Sequence, residues 1–126
     1  MGYVIIFNSL SDSQTGATFL ASEAGVDVAL VELDSQPDPA FQVYYTGWDR
    51  SANIPAGSVA IHHPQGEEKA ISFNDDALTI GDSCILANPT GNTHWFVDNW
   101  EMGTTEPGSS GSRLWDPESQ LLIGTL

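Results

Sequence analysis

Nine short runs rich in Val, Ile, Phe, Tyr and Trp, separated by clusters of Gly, Pro, Asn and Asp, constrain this chain more than any other feature. Such punctuation is how strands alternate with turns, and no window sustains the 3.6-residue apolar spacing of a helix. The runs cover residues 3–7, 17–21, 28–33, 42–48, 58–63, 70–73, 94–97, 112–115 and 121–125, with no internal repeat or low-complexity tract. An all-β fold follows, either a barrel or a sandwich. The 126 residues, 40% of them hydrophobic, suffice for a modest packed core that removes roughly two-thirds of the unfolded surface from water. Residues 34–40, DSQPDPA, hold two prolines and no apolar run, so a boundary is expected there, between segments 1–34 and 41–126.

Charge narrows the partners. Seventeen acidic residues against three basic ones, Arg50, Lys69 and Arg113, give a net charge of −14, which repels phosphate backbones and anionic lipid surfaces. Neither nucleic acid nor a membrane is an expected partner. The apolar opening from Tyr3 to Phe7 lacks a basic leader and is too short to cross a bilayer, so no signal peptide or anchor is expected within these residues. The single cysteine, Cys84, forms no internal disulfide and reads as a buried structural thiol rather than a nucleophile.

The segment from Gly103 to Trp115, GTTEPGSSGSRLW, holds three glycines and three serines ahead of a strand-forming run. Backbone of this composition bends tightly. A serine becomes a nucleophile when its hydroxyl is exposed on such a bend, a base can take its proton, and nearby N–H groups can receive the developing oxyanion. Within Gly108-Ser109-Ser110-Gly111-Ser112, Ser110 is the candidate nucleophile, and the N–H groups of Gly108 and Ser110 are the candidate oxyanion donors.

Thr105-Glu106-Pro107 followed by Gly-Ser-Ser-Gly-Ser and an apolar strand resembles the nucleophile loop of lysyl endopeptidases, a bacterial branch of the trypsin-like serine peptidases. Three upstream segments strengthen the resemblance and stand in the right order: residues 26–33 (VDVALVEL), 45–51 (YTGWDRS), and 61–66 (IHHPQG) with 69–72 (KAIS). The likeness spans about residues 17–126. It implies an incomplete trypsin-like β-barrel architecture, with most of the second barrel in 41–126 and a remnant of the first in 1–34. It also implies Ser110 as nucleophile, Asp27 as the carboxylate that supports the catalytic histidine, Gly108 and Ser110 as the oxyanion hole, and Thr104 at the floor of the substrate pocket. The substrate would be a peptide or protein, cleaved through an acyl-enzyme and selected for lysine, with no cofactor and with secretion as the family's habit.

The histidine is the difficulty. In this arrangement the chain order is His, Asp, Ser, yet residues 1–26 contain no histidine. His62 and His63 are adjacent on an expected strand, so their side chains leave on opposite faces; the family keeps this His-His-Pro step as structure. His94 opens a Trp-Phe-Val run and reads as a strand-end residue. None of the three has metal-ligand spacing, so no metal site is expected. Arg113 stands where the family commonly has proline. Removing the histidine of such an enzyme costs on the order of a millionfold in turnover, about 8 kcal/mol of barrier. The expectation is thus a fragment or degenerate copy of a serine endopeptidase, with little or no activity alone unless a complementary chain supplies the missing barrel. The alternative is a non-catalytic β-barrel module that binds a peptide or protein.

Overall fold

A computed structural model describes residues 4–6, 11–24, 28–81 and 94–126. Among the described residues every regular element is a strand apart from short 3₁₀ turns, including those at Pro39–Phe41 and Pro64–Gly66, and every ladder between these strands is antiparallel. The chain divides into two compact units, Met1–Tyr45 and Thr46–Leu126.

The first unit holds two hairpins. Strand β1 (Val4–Ile6) pairs with β2 (Ser13–Thr15), and β3 (Ala17–Glu23) pairs with β4 (Val28–Leu33). The β3–β4 ladder slips by one residue between Phe19 and Ala21, leaving Leu20 as the bulged residue. Asp34 closes the open end of this hairpin: its N–H donates to Gly16 O at 3.2 Å, and its carboxylate accepts the Thr18 hydroxyl at 3.1 Å. The proline-rich segment 34–40 lies within this unit, where Asp38 caps the Pro39–Phe41 turn by accepting the Ala40 N–H at 2.8 Å.

The second unit is built on a four-stranded sheet. Strands β5 (Ser58–His62), β6 (Ala70–Asn74), β9 (Arg113–Trp115) and β10 (Leu122–Thr125) lie in the order β10-β9-β5-β6, and β7 (Thr79–Gly81) pairs with β8 (His94–Phe96) separately. Ala60, Leu78 and Leu114 form the buried apolar core, with Trp95, Val97, Trp100, Ile123 and Leu126 packed partly against it.

Two features depart from the sequence reading. Residues 42–48, rich in strand-forming side chains, form no strand: only Trp48 makes an isolated bridge, to Leu122, and Tyr44 and Tyr45 are exposed. Propensity describes how well a side chain suits a pleated surface, and it cannot supply the partner that a ladder requires. Conversely, β2 and β7 escape notice because three residues such as Ser-Gln-Thr carry too little apolar alternation. Their pairing comes from the register with Val4–Ile6 and His94–Phe96.

The sheet also turns its polar residues inward. On β5 and β6 the buried positions are Ser58, Ala60, His62, Ser72 and Asn74, whereas Ile61 and Ile71 face out at 40% and 46% exposure. Burying polar atoms is tolerable only when each finds a partner. Among the described residues no buried side-chain nitrogen or oxygen lacks one.

Candidate functional site

The site is assembled in the second unit from the inner face of β5–β6 and the segment 103–112. Gly103 begins the segment against β6. Phe73 and Met102 exchange backbone hydrogen bonds of 2.9 and 3.3 Å, bringing the chain so close that a Cβ on Gly103 would overlap the Ser72 side chain. The Ser72 hydroxyl then donates to Thr104 O at 2.9 Å and accepts the Thr104 N–H at 3.1 Å. Both backbone polar groups of Thr104 are thereby fixed, while its side chain stays exposed.

Two fused β-turns follow. Ser109 N–H donates to Glu106 O at 2.9 Å, closing the turn Glu106-Pro107-Gly108-Ser109; Ser112 N–H donates to Ser109 O at 3.1 Å, closing Ser109-Ser110-Gly111-Ser112. Each has glycine at its third position with positive φ, +99° at Gly108 and +78° at Gly111, and the first has proline at its second. That is the residue pattern of a type II turn. Glycine is required at 108 for space as well: a Cβ there would stand 2.6 Å from Gly66 N and 2.9 Å from His63 O. The Gln65 N–H donates to Pro107 O at 2.7 Å, docking the first turn on the 3₁₀ turn after β5. The second turn is tied to the end of the chain, through Gly111 N–H to Leu126 O and Leu126 N–H to Ser112 O, both 2.8 Å.

Ser109, shared by the two turns, is buried at 3% exposure, whereas Ser110 stands exposed at the second position of the second turn. The Ser109 oxygen accepts the Glu106 N–H at 3.1 Å and lies 2.8 Å from His62 Nδ1, and the other ring nitrogen, Nε2, lies 2.9 Å from Ser72 Oγ. Amide hydrogens alternate along the turns: those of Ser109, Gly111 and Ser112 are bonded, and those of Gly108 and Ser110 find no acceptor among the described residues. An exposed serine hydroxyl and unspent N–H groups are two of the three things covalent acyl transfer needs, the third being a base.

Residues 5–126 match the family described as lysyl endopeptidase, C-terminal domain. The chain belongs to this family. The all-β architecture, in which no sheet closes on itself among the described residues, is consistent with an incomplete trypsin-like barrel. In this lysyl endopeptidase domain Ser110, Gly108 and Thr104 all lie on one segment, between Met102 and β9. Asp27 lies outside the described residues, as does Cys84. Of the histidines, His62 points inward and His63 is exposed, with Nδ1 2.9 Å from Glu67 O; His94 opens β8. Neither His62 nor His63 is hydrogen-bonded to Ser110. Among the described residues no three His, Cys, Asp or Glu side chains converge as a metal site requires, and no helix is long and apolar enough to cross a membrane.

Sequence reasoning left out Ser72 and Ser109. Their positions depend on the β5–β6 register, which puts Ser72 opposite Ala60 and Ala70 opposite His62. An apolar-inward assignment would put Val59, Ile61 and Ile71 inside instead. The one available signal was the adjacency of two histidines, which obliges one of them to face the interior.

Proposed function

We propose that this chain carries the nucleophile-bearing part of a secreted serine endopeptidase, with Ser110 as nucleophile and the N–H groups of Gly108 and Ser110 as oxyanion donors. The observation that carries the reading is the pair of fused turns that exposes Ser110 and leaves those two N–H groups unspent. In the reaction, Ser110 Oγ would attack the carbonyl carbon of a peptide while a base takes its proton. The carbonyl oxygen would gather negative charge beside the two amides, and the amine would leave as the acyl-enzyme forms. Asp27 would orient the histidine that serves as base, and that histidine is none of the three in this chain. Thr104, held rigidly by Ser72, would line the pocket for the side chain preceding the scissile bond, with lysine as the family's preference.

Without the base the chain alone has little or no peptidase activity, the deficit being on the order of a millionfold. The proton acceptor can be supplied from solution. A fluorophosphonate probe is expected to label Ser110, faster with added imidazole and not at all in Ser110→Ala. If wild type and Ser110→Ala react identically across imidazole concentrations, the nucleophile assignment is wrong and a non-catalytic binding module is the better reading.

A further inference from the structure

His62 is 1% exposed and lies between two hydroxyls, one from each wall of the site. Its ring orientation follows from counting hydrogens. The Ser72 hydrogen goes to Thr104 O, so Ser72 Oγ receives from Thr104 N–H and from His62 Nε2. Nε2 therefore carries the ring proton. In the ring form with one proton Nδ1 is an acceptor, and the hydroxyl within reach is that of Ser109. The Ser109 oxygen is then left to accept the Glu106 N–H, and each hydrogen in the relay from Thr104 to Glu106 has one acceptor.

This relay has consequences for the turn. Ser109 belongs to both β-turns, so holding its side chain inward sets the direction of its neighbour. Consecutive residues on so tight a bend cannot both point into the sheet. We propose that His62 is a positioning residue that couples the Thr104 segment to the Ser110 turn, by donating from Nε2 to Ser72 and accepting at Nδ1 from Ser109. The coupling matters for catalysis only if Ser110 is the nucleophile, as read above; the geometry it enforces is independent of that reading.

Two substitutions separate the relay from simple packing. Asparagine places a polar atom where Nδ1 stands and can still accept from Ser109; glutamine reaches the position of Nε2 and can donate only to Ser72. In the full chain, His62→Gln is expected to speed amide exchange at Ser109 and Ser112 about tenfold, the effect of one lost buried hydrogen bond. His62→Asn is expected to leave those amides within about threefold of wild type. A packing role predicts the opposite order, because glutamine fills the space better. Nitrogen spectra of the ring give a second readout: protonated Nε2 and acceptor Nδ1 in wild type, with Nδ1 moving to its unbonded position in Ser109→Ala.

Glutamine protecting the turn better than asparagine, or a ring protonated at Nδ1, overturns the proposal. If both His62 variants fail to fold, Ser109→Ala decides: tenfold faster exchange at Ser112 supports the relay, and unchanged exchange defeats it. Imidazole-assisted fluorophosphonate labelling of Ser110 should follow the same order, near wild type for asparagine and about tenfold slower for glutamine. An unlabelled wild type would remove the nucleophile reading and leave the exchange order to judge His62.

Discussion

Gly108→Ala isolates how the turn before Ser110 is held, because other glycines in the chain share its backbone conformation without its surroundings. Gly108, at φ +99°, and Gly66, at φ +73°, both sit where a side chain is strained, which costs about 1–2 kcal/mol. A Cβ at Gly66 meets nothing within 4 Å, whereas at Gly108 it meets Gly66 N at 2.6 Å, His63 O at 2.9 Å and Gln65 C at 3.3 Å. These are backbone atoms, with no flexible side chain to move aside. Relieving the overlap must shift the first turn away from the 3₁₀ turn and stretch the 2.7 Å bond from Gln65 N–H to Pro107 O. Overpacking of this kind adds about 1–3 kcal/mol. Gly108→Ala is thus expected to cost about 3 kcal/mol and Gly66→Ala about 1.

Urea unfolding followed by tryptophan fluorescence measures the difference. With a slope of about 1.5–2 kcal/mol per molar, typical of small proteins, Gly108→Ala lowers the midpoint by about 1.5–2 M and Gly66→Ala by about 0.5 M. Equal midpoints for the two variants would refute the close docking of the turn on residues 63–66.

Other outcomes follow from the same geometry. Leu114→Ala, in a strand paired on both sides and 3% exposed, should cost about 2–4 kcal/mol in the same urea experiment, since it removes one of the three buried apolar side chains that form the core among the described residues. Asp116 accepts the Ser119 hydroxyl and the N–H groups of Glu118 and Ser119, and these bonds, the hydroxyl first, hold its carboxyl below the usual aspartate range. A depressed folded pKa contributes stability above the ordinary aspartate value and loses it as pH falls through the lowered one. Asp116→Ala should therefore cost up to about 1 kcal/mol at pH 7, a modest figure because the group is well solvated, and measurably less once both states are protonated well below pH 4, where the charge-dependent part is gone. Paired urea titrations at pH 7 and pH 2.5 check this.

Much of the architecture can be read from the chain itself. Val28–Leu33 is found as expected because a six-residue run with five apolar side chains between turn formers admits few alternatives, and the segments at 58–62, 70–74 and 113–115 follow for similar reasons. Residues 42–48 look equally good by composition and are not a strand, since pairing is a property of two segments and only one can be seen at a time. The exposed Ser110 on a glycine-flanked bend was legible locally: proline at 107 and glycine at 108 prescribe the first turn, and glycine at 111 the second. The polar interior behind it was not. Val59, Ile61 and Ile71 point away from the core because His62, Ser58, Ser72 and Asn74 satisfy one another inside it. A hydrophobic pattern has no means of recording that exchange.

The turn holds Ser109 inward while Ser110 is exposed and the N–H groups of Gly108 and Ser110 have no acceptor among the described residues. Site-resolved amide exchange of the intact chain tests this with one data set. Ser109, Gly111 and Ser112 should be protected, and Gly108 and Ser110 between them should exchange near the rate of unstructured peptide. Protection at Gly108 and Ser110 equal to that of their neighbours would mean the two donors are already spent, and the assignment of Ser110 as the acylating residue would be contradicted.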